Sequence, residues 1–157
     1  MSGAGLAAET ASFKPGHRRD LEAHMRTINL FIDHTVKWCL IVFGLITCGT
    51  LPMALNIETI TPLFGGMVDF TASSAPALRH WAFVIFCVGV LMIAASFRPW
   101  LRFETMLLSG AEKGFIVYLF VTNLDEPWIM GYFPAVIVDG LFFLYSIVFF
   151  VSERGRP

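Results

Sequence analysis

The chain has 157 residues, 56% of them hydrophobic and 15% charged, with a net charge of -1. Soluble domains average ~25% charged residues. Here the deficit is concentrated in long apolar runs, which points to an integral membrane protein of one domain, and the lack of a basic surplus argues against nucleic acid as a partner.

Residues 1–18 are small and polar, with Pro15 and Gly16 near their end. They are expected to form a disordered cytoplasmic tail, and they contain no continuous apolar core of the kind a cleavable signal needs. Over 19–34 the apolar residues Leu21, Met25, Ile28 and Phe31 or Ile32 recur every three or four positions, while Arg19, Asp20, Glu22, Arg26 and Asp33 fill the others. This pattern predicts a short amphipathic helix lying on the membrane surface before the first span. It also fits a helical extension of that span.

The membrane domain is expected over 35–151, as an all-α bundle of four spans at about 36–55, 79–97, 103–122 and 131–151, each near the length a ~30 Å hydrocarbon layer requires. Lys37 and Trp38 suit the interface at the start of span 1, and Pro52 kinks or closes its far end. The loop that follows, about 56–77, remains apolar at Ile60, Leu63, Phe64, Met67, Val68 and Phe70, so it should dip into the membrane surface or fold over the bundle. Span 2 opens on Arg79, His80 and Trp81 and closes before Arg98, Pro99 and Trp100. These three opening residues are interfacial anchors or line the mouth of a cavity, with Glu58 and Asp69 as partners. A turn at Asp125 to Trp128 separates spans 3 and 4, and residues 152–157 form a second cytoplasmic tail. Lysine and arginine collect before span 1, between spans 2 and 3 and after span 4, which places both termini in the cytoplasm.

Span 3 contains SGAEKGFIVY, with Glu112 beside Lys113 near its middle. Leu, Ile, Phe and Val favour insertion by ~0.3–0.6 kcal/mol each, and a central lysine or acid opposes it by ~2.5–3.5 kcal/mol. The eight such apolar residues from Leu107 to Val121 contribute roughly -3 kcal/mol against about 5–6 kcal/mol for two unpaired charges. Span 3 should therefore insert poorly alone. Span 4 has only Asp139 as a charge and should insert readily. Lys113 stands about as far before the hairpin turn as Asp139 stands after it, so a rise of ~1.5 Å per residue sets them at similar depth. The two are expected to form a buried pair with Glu112 close by. Thr105, Ser109, Glu112, Lys113 and Ile116 share one side of span 3. Tyr132, Ala135, Asp139, Phe142, Phe143 and Ser146 share one side of span 4. Gly110 and Gly114 form a small-xxx-small step that lets the two helices approach. The cluster is either an architectural ion pair or a site for a ligand or proton.

Other chemistry lacks its residues. His34 and His80 lie a membrane thickness apart, and His17 and His24 precede the spans, so haem held by two histidines inside the membrane is not supported. HExxH, P-loop and GxSxG patterns are absent. Cys39, Cys48 and Cys87 have no CxxC spacing and read as buried free thiols. No metal or cofactor is implied.

The RHW start of span 2, its FRP exit, the AEKG step of span 3 and the DGLFFLY run of span 4 resemble small bacterial membrane proteins grouped as DoxX-like. The likeness covers about 35–151. It implies a four-helix bundle in the bacterial inner membrane, and in some relatives a place beside quinone-linked oxidoreductases. The residues favour a non-catalytic accessory subunit or binding module for a lipid, quinone or other apolar molecule. The rivals are a small oligomeric proton-coupled transporter and an intramembrane enzyme on a lipid or sterol-like substrate. Expected partners are the bilayer, an apolar small molecule, and a membrane protein or further copies of the chain. In a glycosylation-mapping insertion assay, residues 103–122 alone should fail to span in most molecules, and the hairpin 103–151 should span efficiently.

Overall fold

The computed structural model describes residues 15–59, 71 and 73–154, with residues 15–22 as backbone only. Of the disordered tail expected over 1–18, residues 1–14 lie outside the described residues, and 15–18 are not disordered but form the first turn of a helix, because Pro15 suits a first helical turn. The apolar loop residues from Ile60 to Phe70, with Asp69 among them, also lie outside the described residues. Five α-helices follow in order: α1 (Pro15–Cys48), α2 (Leu51–Leu55), α3 (Ala75–Phe97), α4 (Arg102–Thr122) and α5 (Phe133–Arg154). Short 3-10 turns occupy Ile57–Thr59, Pro99–Leu101 and Pro127–Tyr132, and there is no strand among the described residues. Four segments are long and apolar enough to cross a membrane: Ala23–Leu55, Ala75–Phe97, Pro99–Thr122 and Pro127–Arg154.

Proline placement sets most of the boundaries. Pro76 sits in the first turn of α3, where a missing N–H leaves nothing unsatisfied. Pro99 drives Arg98 into extended backbone (φ -125, ψ 91) and so ends α3. The Arg102 guanidinium then folds back, donating to the carbonyls of Ser96 at 3.0 Å and Ala95 at 3.4 Å. It thereby caps the exposed end of α3. Pro52 occupies the first turn of α2, so the first span is interrupted at Gly49 and Thr50 rather than ended. The Thr50 hydroxyl donates toward the carbonyls of Thr47 at 2.9 Å and Ala82 at 3.1 Å, fastening the break to α3.

Two expectations change at the chain's ends. The amphipathic segment 19–34 is not a separate surface helix. It runs without interruption into the first span, because no glycine or proline stands between Gly16 and Gly44 to break it. At ~1.5 Å per residue the 34-residue α1 is about 50 Å long, well beyond a ~30 Å hydrocarbon layer. Residues 152–154, expected in a tail, complete α5. Ser152 is fully buried and donates to Asn29 Oδ1 at 2.7 Å, which holds the last turn of α5 against α1.

The four long helices form a ring in which α1 packs on α3, α3 on α4, α4 on α5 and α5 back on α1. One half of the bundle is filled by Ile32, Val36 and Leu40 of α1, Val88, Met92 and Ala95 of α3, Met106 of α4, and Phe142 and Phe149 of α5. The outward faces carry large apolar residues such as Leu45, Val90, Leu107, Phe115, Leu141 and Leu144. Thr47, Ser96, Thr105, Ser109, Lys113, Ser146 and Ser152 are buried instead. A soluble bundle would have the opposite distribution. Here lipid covers the apolar exterior and the polar groups face one another. Cys87 follows this rule against expectation, pointing outward, while Cys39 and Cys48 are half-buried.

Close helix approach replaces the hydrophobic driving force that lipid removes. A Cβ on Gly89 would come within 2.8 Å of the Cys48 backbone nitrogen and of the Gly44 carbonyl oxygen, so α1 and α3 touch backbone to backbone there. A Cβ on Gly110 would lie 2.5 Å from Ser146 Oγ, and one on Gly114 would lie 2.6 Å from the Phe143 ring, at the α4–α5 contact. Gly140 is different, its nearest neighbour being Val117 Cγ2 at 3.7 Å. Gly89→Ala should lower stability by about 1–3 kcal/mol through overpacking. Gly140→Ala should be neutral or mildly stabilising. Thermal unfolding of both variants in one detergent checks the contrast.

Candidate functional site

The hairpin of α4 and α5 brings three charged side chains together. Lys113 Nζ lies 3.1 Å from Asp139 Oδ1 and 3.0 Å from Glu112 Oε2. Neighbouring residues on a helix do not face each other, so the long lysine stem has to reach between the two carboxylates. Its side chain is 6% exposed, against 22% for Glu112 and 14% for Asp139. Gly110 and Gly114 flank Lys113 on α4 and allow α5 close enough for the contact to form. Glu112 Oε1 is shielded from solvent and has no hydrogen-bond partner, and Oε2 makes only the ion-pair contact with the ammonium.

The triad borders a partly open cavity of about 320 Å³ in the half of the bundle opposite the packed core. Ile46, Thr47, Thr50 and Met53 line it from the interrupted end of α1 and from α2, and Trp81 and Ile85 from α3. Glu112, Lys113 and Ile116 come from α4. Gly131, Tyr132, Pro134, Ala135 and Asp139 complete the wall from the α5 side. Apart from the triad the lining is largely apolar, and Thr47, Thr50, Trp81 and Tyr132 are its other residues with a polar group on the side chain. Tyr132 also packs edge-on against Trp128, with ring centroids 6.2 Å apart.

The residues singled out in the sequence divide into three groups. Glu112, Lys113, Asp139, Tyr132 and Trp81 share the cavity wall. Thr105 and Ser109 lie on the same face of α4 as Lys113, two turns and one turn away, but in the packed region. They are 1% and 0% exposed, and neither hydroxyl has a hydrogen-bond partner. Arg79 and His80 are exposed and stand apart from the lining. Arg79 Nε donates to the Ala54 carbonyl at 2.9 Å, at the end of α2, and makes no ion pair with Glu58. It acts as a clip between α2 and α3, because the interrupted first span leaves a carbonyl within its reach. Thr47, Thr50 and Met53 were not anticipated as site residues. The signal present in the sequence is the TCGTLP stretch, where hydroxyls and a proline interrupt an apolar run.

No family model, curated protein or solved structure matches the chain. The likeness to DoxX-like proteins therefore rests on the four short motifs alone, and the site has to be interpreted from its own geometry.

Removing one partner from a buried ion pair costs about 3–5 kcal/mol, whereas replacing every member with neutral groups of similar volume is often harmless. Lys113→Met should fall within that range by leaving two carboxylates without a counter-ion. Adding Glu112→Gln and Asp139→Asn should recover most of the lost stability. Thermal or chemical unfolding of the single and triple variants in detergent measures both effects.

Proposed function

We propose that the protein is a non-catalytic integral membrane binding module, an accessory subunit that holds an amphipathic small molecule in the cavity beside the triad. The observation that carries this reading is the juxtaposition of an apolar cavity of about 320 Å³ with a buried three-membered charge cluster in its wall. Binding sites for small molecules combine these two properties, with an apolar surround for affinity and a few convergent polar groups for orientation. An ion pair kept only to fix helix register needs no adjoining space. Ionisable groups inside a membrane are costly, and their retention favours a role in binding.

The location proposed with it is a bacterial inner membrane, with both termini cytoplasmic. The arginines of the α3–α4 connection and both chain ends support this orientation, as does the even number of spans. In that orientation the cavity lies in the outer half of the bilayer. Kinship with DoxX-like proteins belongs to the same proposal and is supported by the RHW, FRP, AEKG and DGLFFLY motifs.

Native mass spectrometry of protein extracted in a mild detergent tests the reading. A bound mass of a few hundred daltons is expected, lost or strongly reduced in Ile85→Trp, which fills the cavity from α3 without touching the triad. Protein free of any adduct, with a melting temperature unmoved by lipid or quinone extracts, would count decisively against it.

A further inference from the structure

The charge count within the cavity narrows the class of molecule it takes. Glu112 and Asp139 present two carboxylates to the single ammonium of Lys113. The ionised triad is therefore short of one positive charge, in surroundings where an uncompensated charge is expensive. Either a proton or a cation has to supply it. Among the described residues no other cationic side chain lines the cavity: the first span and α2 contribute only hydroxyl and apolar groups, α3 contributes Trp81 and Ile85, and the 3-10 turn before α5 contributes Tyr132. Of the two basic residues that precede Trp81, Arg79 is engaged at the Ala54 carbonyl and His80 is exposed, and neither belongs to the lining.

Two further observations point to the same charge. Glu112 lines the cavity, and its Oε1 has no donor to satisfy it, a deficit that an N–H from a ligand would remove when the carboxylate turns toward the space. Trp81 and Tyr132 both face the same space, and the π-faces of such rings attract cations, tryptophan most strongly. An anionic head group would meet two carboxylates and gain one ammonium that is already shared. A neutral head group would leave the missing charge to a proton, whereas a cation supplies it directly.

We propose that the cavity selects a lipophilic organic cation, an amine whose ammonium group lies against Glu112 and whose apolar body fills the space toward Trp81, Ile85 and Met53. This rests on the binding-module reading and specifies its ligand by charge. A volume of about 320 Å³ sits at the lower end of the ~300–1,000 Å³ typical of small-molecule sites, which suits a single aryl-alkyl amine better than a two-chain lipid.

The test uses three probes that share one apolar body: phenylbutylammonium, phenylbutanol and phenylbutyrate. Each is titrated against the full-length protein in one detergent, with melting temperature and calorimetry as readouts. The amine is expected to bind about tenfold or more tighter than the alcohol, and the carboxylate weakest of all. Glu112→Gln should bring amine and alcohol within about twofold of each other. Should Glu112→Gln fail to fold, Trp81→Leu keeps the triad and should weaken the amine severalfold more than the alcohol. Alcohol or carboxylate binding as tight as the amine would overturn the cation preference and leave the binding module standing. Binding of none of the three would remove the cavity as a site for this class and, together with adduct-free native mass spectra, the binding reading as well.

Discussion

The bundle is organised around one ammonium group shared by two carboxylates. Lys113 reaches Asp139 across the α4–α5 contact and Glu112 within its own helix. Without that sharing, α4 would hold two bare charges in a low-dielectric layer, which its apolar residues cannot offset. The small residues beside the lysine are a necessary part of the same arrangement. Gly110 and Gly114 let Ser146 and Phe143 approach so closely that a Cβ at either position would force the facing side chain to shift, and this proximity puts Asp139 within reach. Electrostatics and close packing at this seam are therefore one constraint rather than two.

The rest of the structure accommodates it. In one half, aromatic and aliphatic side chains interlock, with Phe43 and Phe142 ring centroids 5.1 Å apart. In the other half, the interruption of the first span and the turn before α5 draw the helices apart around the cavity. Polar links between distant helices are sparse but well placed: Thr35 to Tyr145 at 2.9 Å and Asn29 to Ser152 at 2.7 Å join α1 to α5, and Thr50 to Ala82 at 3.1 Å joins the broken span to α3. In lipid such bonds have no competing water, and they fix the order of helices around the ring.

The α4–α5 seam was legible in the sequence because a single countable quantity determines it. The turn at Asp125 to Trp128 sets the register of two helices with a known rise, and the register sets the depth of Lys113 and Asp139. The part played by the first span was not legible. Hydropathy weighs charges heavily and hydroxyls hardly at all, so Thr47 and Thr50 disappeared within an apolar run although they supply the polar part of the opposite cavity wall. The partner of Arg79 was illegible for a different reason. It is the backbone carbonyl of Ala54, an acceptor every residue possesses, exposed only because the helix ends there. The separate surface helix expected over 19–34 arose from an amphipathic pattern that describes the residues correctly and contains no information about where a helix bends.

The depth of the triad has an electrical consequence. Lys113 lies nine residues before the end of α4 at Thr122, about 13 Å at ~1.5 Å per residue, close to half of a ~30 Å layer. A full transmembrane potential is worth ~2.3 kcal/mol per elementary charge per 100 mV. A net charge gained or lost at the triad therefore couples to the membrane voltage by on the order of 1 kcal/mol per 100 mV. A proton or cation taken up there would thus feel the membrane potential directly, with no moving helix required to sense the field.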